Sequence, residues 1–106
     1  MIHRYYILND SGKPEPVDLW TLGRWFATHP RQVAHDIVDG SRVSTVFVGF
    51  NQQWIVGGPP LIFETLVFGG PLDGEVDRYS TRADALVGHA AMVKRVRAAF
   101  ANKEGV

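Results

Sequence analysis

The dipeptide Asp39-Gly40 is the feature that most constrains how this chain can fold. It joins two runs rich in branched and aromatic residues, RQVAHDIVD at 31–39 and RVSTVFVGF at 42–50. Asp and Gly both tolerate a positive φ, which the tight two-residue turn of a β-hairpin requires. The pattern therefore predicts two antiparallel strands connected by this turn, and branched residues favour the strands on either side.

Three further segments have the composition of strands. They are RYYIL at 4–8, the very apolar LIFETLVFG at 61–69 and EVDRYS at 75–80. Turn and loop residues separate them, at NDSGKPEP (9–16), NQQWIVGGPP (51–60) and GGPLDG (69–74). Because neighbouring strands joined by short turns pair antiparallel, one face of the sheet should be covered by helices and the other should be freer.

Two helices are predicted by their caps and their apolar spacing. Asp18 caps the first, whose stripe of Leu19, Leu22 and Phe26 should be buried, and His29 should end it because Pro30 follows. Thr81 caps the second, which should run to about residue 101. One face of this second helix carries its apolar residues and one histidine: Leu86, His89, Met92, Val93, Val96 and Phe100.

The fold class follows from this order of elements, β-α-β-β-β-β-α. We expect a single α+β domain over residues 1–106, with an antiparallel sheet of about five strands and two helices. Residues 102–106 are predicted to be a frayed tail. The length suits one domain with a single core.

Composition excludes several classes of function. The chain has no cysteine, which removes disulfides, thiolate metal sites and cysteine nucleophiles. Its 11 basic and 11 acidic side chains cancel, so the general positive field of a nucleic-acid-binding protein is missing and nucleic acid is an unlikely partner. The four histidines show no metal-ligand spacing, and no phosphate-loop or dinucleotide motif is present. The sequence therefore predicts neither a metal nor a cofactor.

The sequence shows no targeting signal, so the cytoplasm is the expected location. The N-terminal MIHRYYILND lacks the apolar core and cleavage site of a signal peptide. No stretch reaches the roughly 18 apolar residues of a membrane span, so no membrane partner is expected.

Glu64 is the first polar residue that an ordinary strand does not explain. Both faces of 61–69 are apolar, so the strand should be central and covered twice, and an ionised carboxylate there needs a partner. Arg78, Arg42 or the hydroxyl of Tyr79 are the candidates. An internal ion pair, or an exposed face masked by one large neighbour, is the favoured interpretation, and a catalytic carboxylate is the alternative.

His89 is the second such residue, because it interrupts the apolar stripe of the last helix. A buried imidazole can serve as a base or a ligand, although a structural histidine bonded to a carbonyl is the favoured interpretation. The tryptophans Trp20, Trp25 and Trp54 form a third group. Trp20 lies roughly opposite the predicted stripe, Trp25 at its edge and Trp54 in a loop, and exposed aromatic residues of this kind favour partner-binding surfaces. The alternative is that another layer or a loop of the protein itself covers them.

Three segments together resemble a known family: RVSTVFVGFNQQW, PPLIFETLVFGG and RYSTRADALVGHAAMV, which span about residues 42–93. They are similar to small uncharacterised proteins encoded by tailed phages and prophages, with the shared patterns V-S-T-V-F-L-G, P-P-L-x-F-E-T-M-V-F-G-G and R-Y-x-T-x-x-E-A-x-x-G-H. Relatives carry Asp-His where this chain has Asn51-Gln52, which argues against catalysis that needs that pair. The resemblance implies a phage or prophage origin and a host cytoplasm. It implies no activity.

Six positions fall inside the motifs that carry the resemblance: Glu64, Thr65, Arg78, Tyr79, Gly88 and His89. Five of them, Glu64, Thr65, Arg78, Tyr79 and His89, make up a predicted polar centre.

Two functions from different classes are compatible with these observations, and a third ranks last. The first is a non-enzymatic protein-binding module, acting on a host or defence protein in host takeover and able to form a homodimer, with Trp20, Trp25 and Trp54 at the contact. The second is a small enzyme or ligand-binding protein with a pocket around Glu64, Arg78, Tyr79 and His89. Nucleic-acid binding is the third.

Overall fold

The structure is a computed structural model that describes residues 4–53 and 58–104, with side chains up to residue 102. The elements along this part of the chain are β1 (Tyr5–Leu8), β2 (Pro14–Val17), α1 (Leu19–Phe26), β3 (Gln32–Val38), β4 (Ser41–Phe47), β5 (Phe63–Phe68), β6 (Val76–Tyr79) and α2 (Arg82–Glu104). They form an α+β fold, as predicted. The strands divide into a two-stranded sheet, β1-β2, and a four-stranded antiparallel sheet, β3-β4-β5-β6, where a single sheet of about five strands was expected.

The additional strand is β2, which lies in a segment predicted to be a turn. Only the first half of that segment turns: Asn9 Oδ1 accepts hydrogen bonds from the backbone N–H of Ser11 and Lys13, at 2.9 and 3.0 Å. Pro14–Val17 then pairs with β1. Its two prolines led to the prediction of a turn. Both strands of a two-stranded sheet are edge strands, where the missing N–H of proline is tolerated.

Helix α1 begins where the sequence predicts and ends early. The Asp18 carboxylate accepts a hydrogen bond from the Thr21 N–H at 2.7 Å, as a cap should. The helix ends at Phe26, three residues before His29. Leu22 is buried, whereas Leu19 is 56% exposed, so the prediction that Leu19 belongs to the buried stripe is wrong. An eight-residue helix presents one side to β1, and Leu19 lies off that side.

The Asp39-Gly40 hairpin forms as predicted. Both residues have positive φ, +50° and +90°, and β3 pairs antiparallel with β4 across them. The register of β3 shifts between Gln32 and Ala34, which places a bulge near the start of this edge strand.

The four-stranded sheet has two unlike faces, because successive side chains of a strand point to opposite sides. Its covered face packs against α2, and the residues buried there include Val43, Val67, Met92, Val93 and Val96. A second cluster continues toward α1 and β1, and includes Leu22, Phe47, Ile62, Phe63 and Ala85. Among the described residues no helix packs on the open face, and Ile37 and Phe68 on it are 70% and 40% exposed.

Helix α2 approaches the sheet closely at Gly88. A Cβ at this position would lie closer than 3.0 Å to the ring and hydroxyl of Tyr79. The helix also turns slightly from the predicted face: Ala85 is fully buried, whereas Leu86 is 45% exposed. Its cap is as predicted, with Thr81 Oγ1 accepting from the Asp84 N–H at 3.0 Å.

Candidate functional site

Two threonines meet inside the protein, between the covered face of the sheet and α2. Thr45 on β4 and Thr65 on β5 are partners in the antiparallel register, so their side chains leave the same face side by side. Their Oγ1 atoms lie 2.5 Å apart and both residues are fully buried. Since a buried hydroxyl is costly without a partner, this pair already satisfies part of its own requirement.

Three more residues extend the pair in both directions. His89 on α2 places Nδ1 2.7 Å from Thr45 Oγ1 and Nε2 2.7 Å from the Asp36 Oδ2 on β3. At the other end, the Tyr79 hydroxyl on β6 lies 3.1 Å from Thr65 Oγ1. We call the continuous series Asp36–His89–Thr45–Thr65–Tyr79 the polar chain. It crosses all four strands and joins each of them to α2.

With Asp36 ionised and the His89 ring neutral, the chemistry of these groups fixes the direction of every hydrogen bond in the polar chain. A carboxylate only accepts, so His89 Nε2 carries the hydrogen and donates it. Nδ1 of the neutral ring is then an acceptor, and Thr45 donates to it. Thr65 donates in turn to Thr45, and Tyr79 donates to Thr65. Every hydroxyl and ring nitrogen in the polar chain thus has a partner.

The succession Asp-His-Thr has the elements of a nucleophilic triad, but its burial does not suit catalysis. A nucleophile must be open to substrate, and Thr45 has no exposed surface. His89 is only 5% exposed. Asp36, with 56% of its side chain exposed, and the half-buried Tyr79 are the two ends that reach toward solvent. Burial raises the pKa of the Tyr79 hydroxyl, which keeps it protonated.

Glu64 lies on the open face, away from the polar chain. Gln52 donates to its carboxylate from Nε2 at 2.7 Å, and Arg78, its partner in the register of β6, lies 3.5 Å away through Nε. Of the three candidate partners, Arg78 is therefore the one that meets Glu64. The prediction that both faces of this strand are covered is wrong, because α2 packs on the face opposite Glu64. Loop residue Gln52 shields the carboxylate instead, and the Glu64 side chain is 18% exposed.

The predicted polar centre therefore separates into two groups. Thr65, Tyr79 and His89 come together on the covered face, while Glu64 and Arg78 pair on the open face. A pocket shared by Glu64, Arg78, Tyr79 and His89 does not form, because the sheet lies between the two pairs. Sequence reasoning missed Asp36 and Thr45. The alternation within each strand carried the necessary signal, but only the pairing register shows which residues meet.

The three tryptophans of the predicted partner-binding group lie in different environments. Trp25 stacks on His29 with 4.2 Å between ring centroids and meets Phe47 edge-on at 5.3 Å, so it packs against the core. Trp25 is half-buried, and its role in partner binding stays a prediction. Trp54 lies outside the described residues. Trp20 is 81% exposed, which agrees with its predicted position opposite the buried side of α1.

A shallow groove of about 520 Å³ runs along the outer side of α1 beside Trp20. Leu19, Trp20, Gly23, Arg24 and Ala27 line it. Gly23 leaves open space in the groove, since an added Cβ would meet nothing within 4 Å. Arg24 is the charged residue of the lining and forms no ion pair within the described residues. We call this surface the α1 groove.

Within residues 4–53 and 58–104, no group of three potential metal ligands forms a metal site. In the same ranges, neither helix combines the length and apolar character needed to cross a membrane.

In comparisons with known proteins, no family model, no curated protein and no solved structure matches this chain.

Proposed function

We propose that this chain is a non-enzymatic protein-binding module of phage or prophage origin, and that the α1 groove is its docking surface. The observation that carries the proposal is the exposure of Trp20, 81%, beside an exposed Leu19. Large aromatic residues next to a concave surface are typical anchors of protein interfaces. Trp20 takes no part in the described core, so its size and exposure serve nothing inside the fold.

The lining of the groove defines the chemistry of its partner. Leu19, Trp20, Gly23 and Ala27 offer an apolar surface, and Arg24 adds one positive charge at its edge. The complementary partner is a short segment with an apolar or aromatic side chain followed by a carboxylate, which Arg24 can bind in bidentate geometry. An eight-residue helix is about 12 Å long, so this contact suits a short segment and a modest affinity.

The alternative of a small enzyme receives less support. It required Glu64 and His89 in one pocket, and the sheet separates them. Nucleic-acid binding also receives little support, because the net charge is zero. In addition, the ring of Phe68 on the open face is already covered by the Arg42 guanidinium, which lies 4.4 Å from the ring centroid.

The motifs at 42–93 support the biological setting of the proposal. Their resemblance to proteins of tailed phages and prophages points to a host or defence protein as the natural partner. Small binding proteins need only one good surface, and the α1 groove lies outside the segment that carries the resemblance. The partner could therefore differ between relatives that share the same sheet and α2.

A peptide-display selection tests the docking surface directly. Immobilised protein is panned against a random peptide library, with counter-selection on the Trp20→Ala variant. We expect enriched peptides to combine an apolar or aromatic residue with a neighbouring Asp or Glu. Trp20→Ala should weaken the best peptide by about 2 kcal/mol or more, roughly 30-fold in Kd. Arg24→Glu should weaken acidic peptides and reverse their salt dependence.

Val87→Ala provides the matched control, because Val87 is a similarly exposed apolar residue (72%) on the unrelated surface of α2. It should leave peptide binding unchanged. Equal binding by wild type and Trp20→Ala, or a selection without any consensus, would contradict the assignment of the groove. Isothermal titration with the enriched peptide supplies the affinities.

A further inference from the structure

The polar chain has two complete sets of hydrogen positions, and the charge of His89 selects between them. With neutral His89, donation runs from Tyr79 through Thr65 and Thr45 to Nδ1. A protonated ring has hydrogen on both nitrogens, so Nδ1 becomes a donor to Thr45. Thr45 must then donate to Thr65. Because Thr65 is fully buried, its hydrogen needs an acceptor, and the Tyr79 oxygen at 3.1 Å is the one in reach.

Protonation therefore reverses every bond between Nδ1 and Tyr79. One proton from solvent is bound at Nδ1, no other covalent bond changes overall, and the three hydroxyl hydrogens point the opposite way. The bond from Nε2 to Asp36 keeps its direction and becomes an ion pair at 2.7 Å. The hydroxyl of Tyr79, a half-buried residue, then accepts from Thr65 and turns its own hydrogen away from it.

We propose that the polar chain is a pH-driven relay in which the charge of His89 sets whether Tyr79 donates or accepts a hydrogen bond. The signal crosses the sheet from the β3 edge to the β6 edge, about 14 Å for three strand spacings. Each threonine hydroxyl has two roles and one neighbour on either side, and the terminal Tyr79 hydroxyl has Thr65 alone, so the members must switch together. The relay thus reports acidification near Asp36 to the surface around Tyr79.

The other charged groups around the polar chain do not replace Asp36 as the charged partner of His89. From β3, Asp36 is the ionised group in contact with the imidazole. From β4 and β5, Thr45 and Thr65 bring no charge. From β6, Asp77 raises the pKa of Tyr79.

On α2, Arg95 acts on the same hydroxyl in the opposite sense and is itself paired with Glu75 at 3.0 Å. Neither Asp77 nor Arg95 touches His89 through a hydrogen bond among the described contacts. The carboxylate of Asp36 and the proton on the ring therefore dominate the switch.

Nuclear magnetic resonance of labelled protein tests the relay. The ¹⁵N shifts of His89 identify the nitrogen that carries hydrogen, and we expect the Nε2–H form above its titration. The ¹³Cζ shift of Tyr79 reports the role of the hydroxyl. In a pH titration, it should follow the ¹⁵N shifts of His89 with the same midpoint.

Variants of Thr45 separate the relay from a field effect. Thr45→Val removes the hydroxyl at nearly constant shape, so the response of Tyr79 should disappear while His89 still titrates. Thr45→Ser keeps the hydroxyl and should keep the response. If Thr45→Val does not fold, Asp36→Asn is the deciding variant, because the exposed Asp36 tolerates change. The amide of Asn can donate to Nε2, so the Nδ1–H form of the ring should become populated. The ¹³Cζ signal of Tyr79 should then shift without a change of pH.

Three outcomes would overturn the relay: an Nδ1–H ring in the wild type at high pH, a Tyr79 signal that ignores the His89 titration, or an equal response in Thr45→Val. These outcomes are independent of the α1 groove.

Discussion

Replacing Gly88 by alanine should destabilise the protein, although alanine is the better helix former. The added methyl group would overlap the ring and hydroxyl of Tyr79. Tyr79 has little freedom to withdraw, because its hydroxyl bonds Thr65 and its backbone pairs with Phe63. Overpacking of this kind costs about 1–3 kcal/mol, and breaking the Tyr79–Thr65 bond adds about 0.5–1.5 kcal/mol.

Helix propensity acts in the opposite direction at the same site. Alanine in place of glycine inside a helix gains about 1 kcal/mol. The net expectation is a loss of about 0.5–3.5 kcal/mol in the free energy of unfolding, measured by urea denaturation. In a domain of this size each kcal/mol lowers Tm by about 4–8 °C.

Gly23→Ala is the matched control, since Gly23 is also helical and an added Cβ there meets nothing within 4 Å. It should stabilise the protein by about 0.5–1 kcal/mol. The cause is isolated by a double-mutant cycle with Tyr79→Ala, in whose background Gly88→Ala should become neutral or stabilising. A Gly88→Ala protein as stable as Gly23→Ala, or an equal loss in both backgrounds, would refute the close approach of α2 to β6.

Three further outcomes are expected. Burial raises the pKa of Tyr79 above its ordinary 10.0, so the stability that its neutral hydroxyl contributes should be fully present below pH 10 and should be lost as the pH rises through the folded-state pKa. Tyr79→Phe should remove this alkaline loss in pH-dependent unfolding. Gly40→Ala should cost about 1–2 kcal/mol in urea unfolding because the φ of Gly40 is +90°, whereas Asp39→Asn should be nearly neutral; equal effects would contradict the turn geometry. Arg78→Ala should cost less than about 1 kcal/mol, since Arg78 is 44% exposed and Gln52 still bonds Glu64, and a loss above about 2 kcal/mol would mean that the carboxylate depends on the ion pair.

Local chemistry predicted the elements whose signals are short in range. The Asp39-Gly40 turn needs only two residues with the right backbone freedom, and the Asp18 and Thr81 caps need only one side chain each. These features formed as expected. Strand β2 was missed because prolines normally signal a break, and only its position in a two-stranded sheet makes them acceptable.

The polar chain shows the limit of such reasoning. His89 stood out because it interrupts an apolar stripe, yet its partners Asp36 and Thr45 looked like ordinary strand residues. Their meeting depends on two strand registers and on the rotation of α2, which are long-range properties. Glu64 was similarly anomalous in sequence, and its main donor, Gln52, comes from a loop whose path no local pattern specifies.

The bulge in β3 bears on how the protein behaves when concentrated. β3 is an edge strand, and a regular edge strand offers unpaired backbone groups to the same strand of another molecule. The shift between Gln32 and Ala34 interrupts that regularity, and the charge of Asp36 follows two residues later. A molecule that paired its own sheet with this edge would have to straighten the bulge, so β3 resists edge-to-edge growth into fibrils.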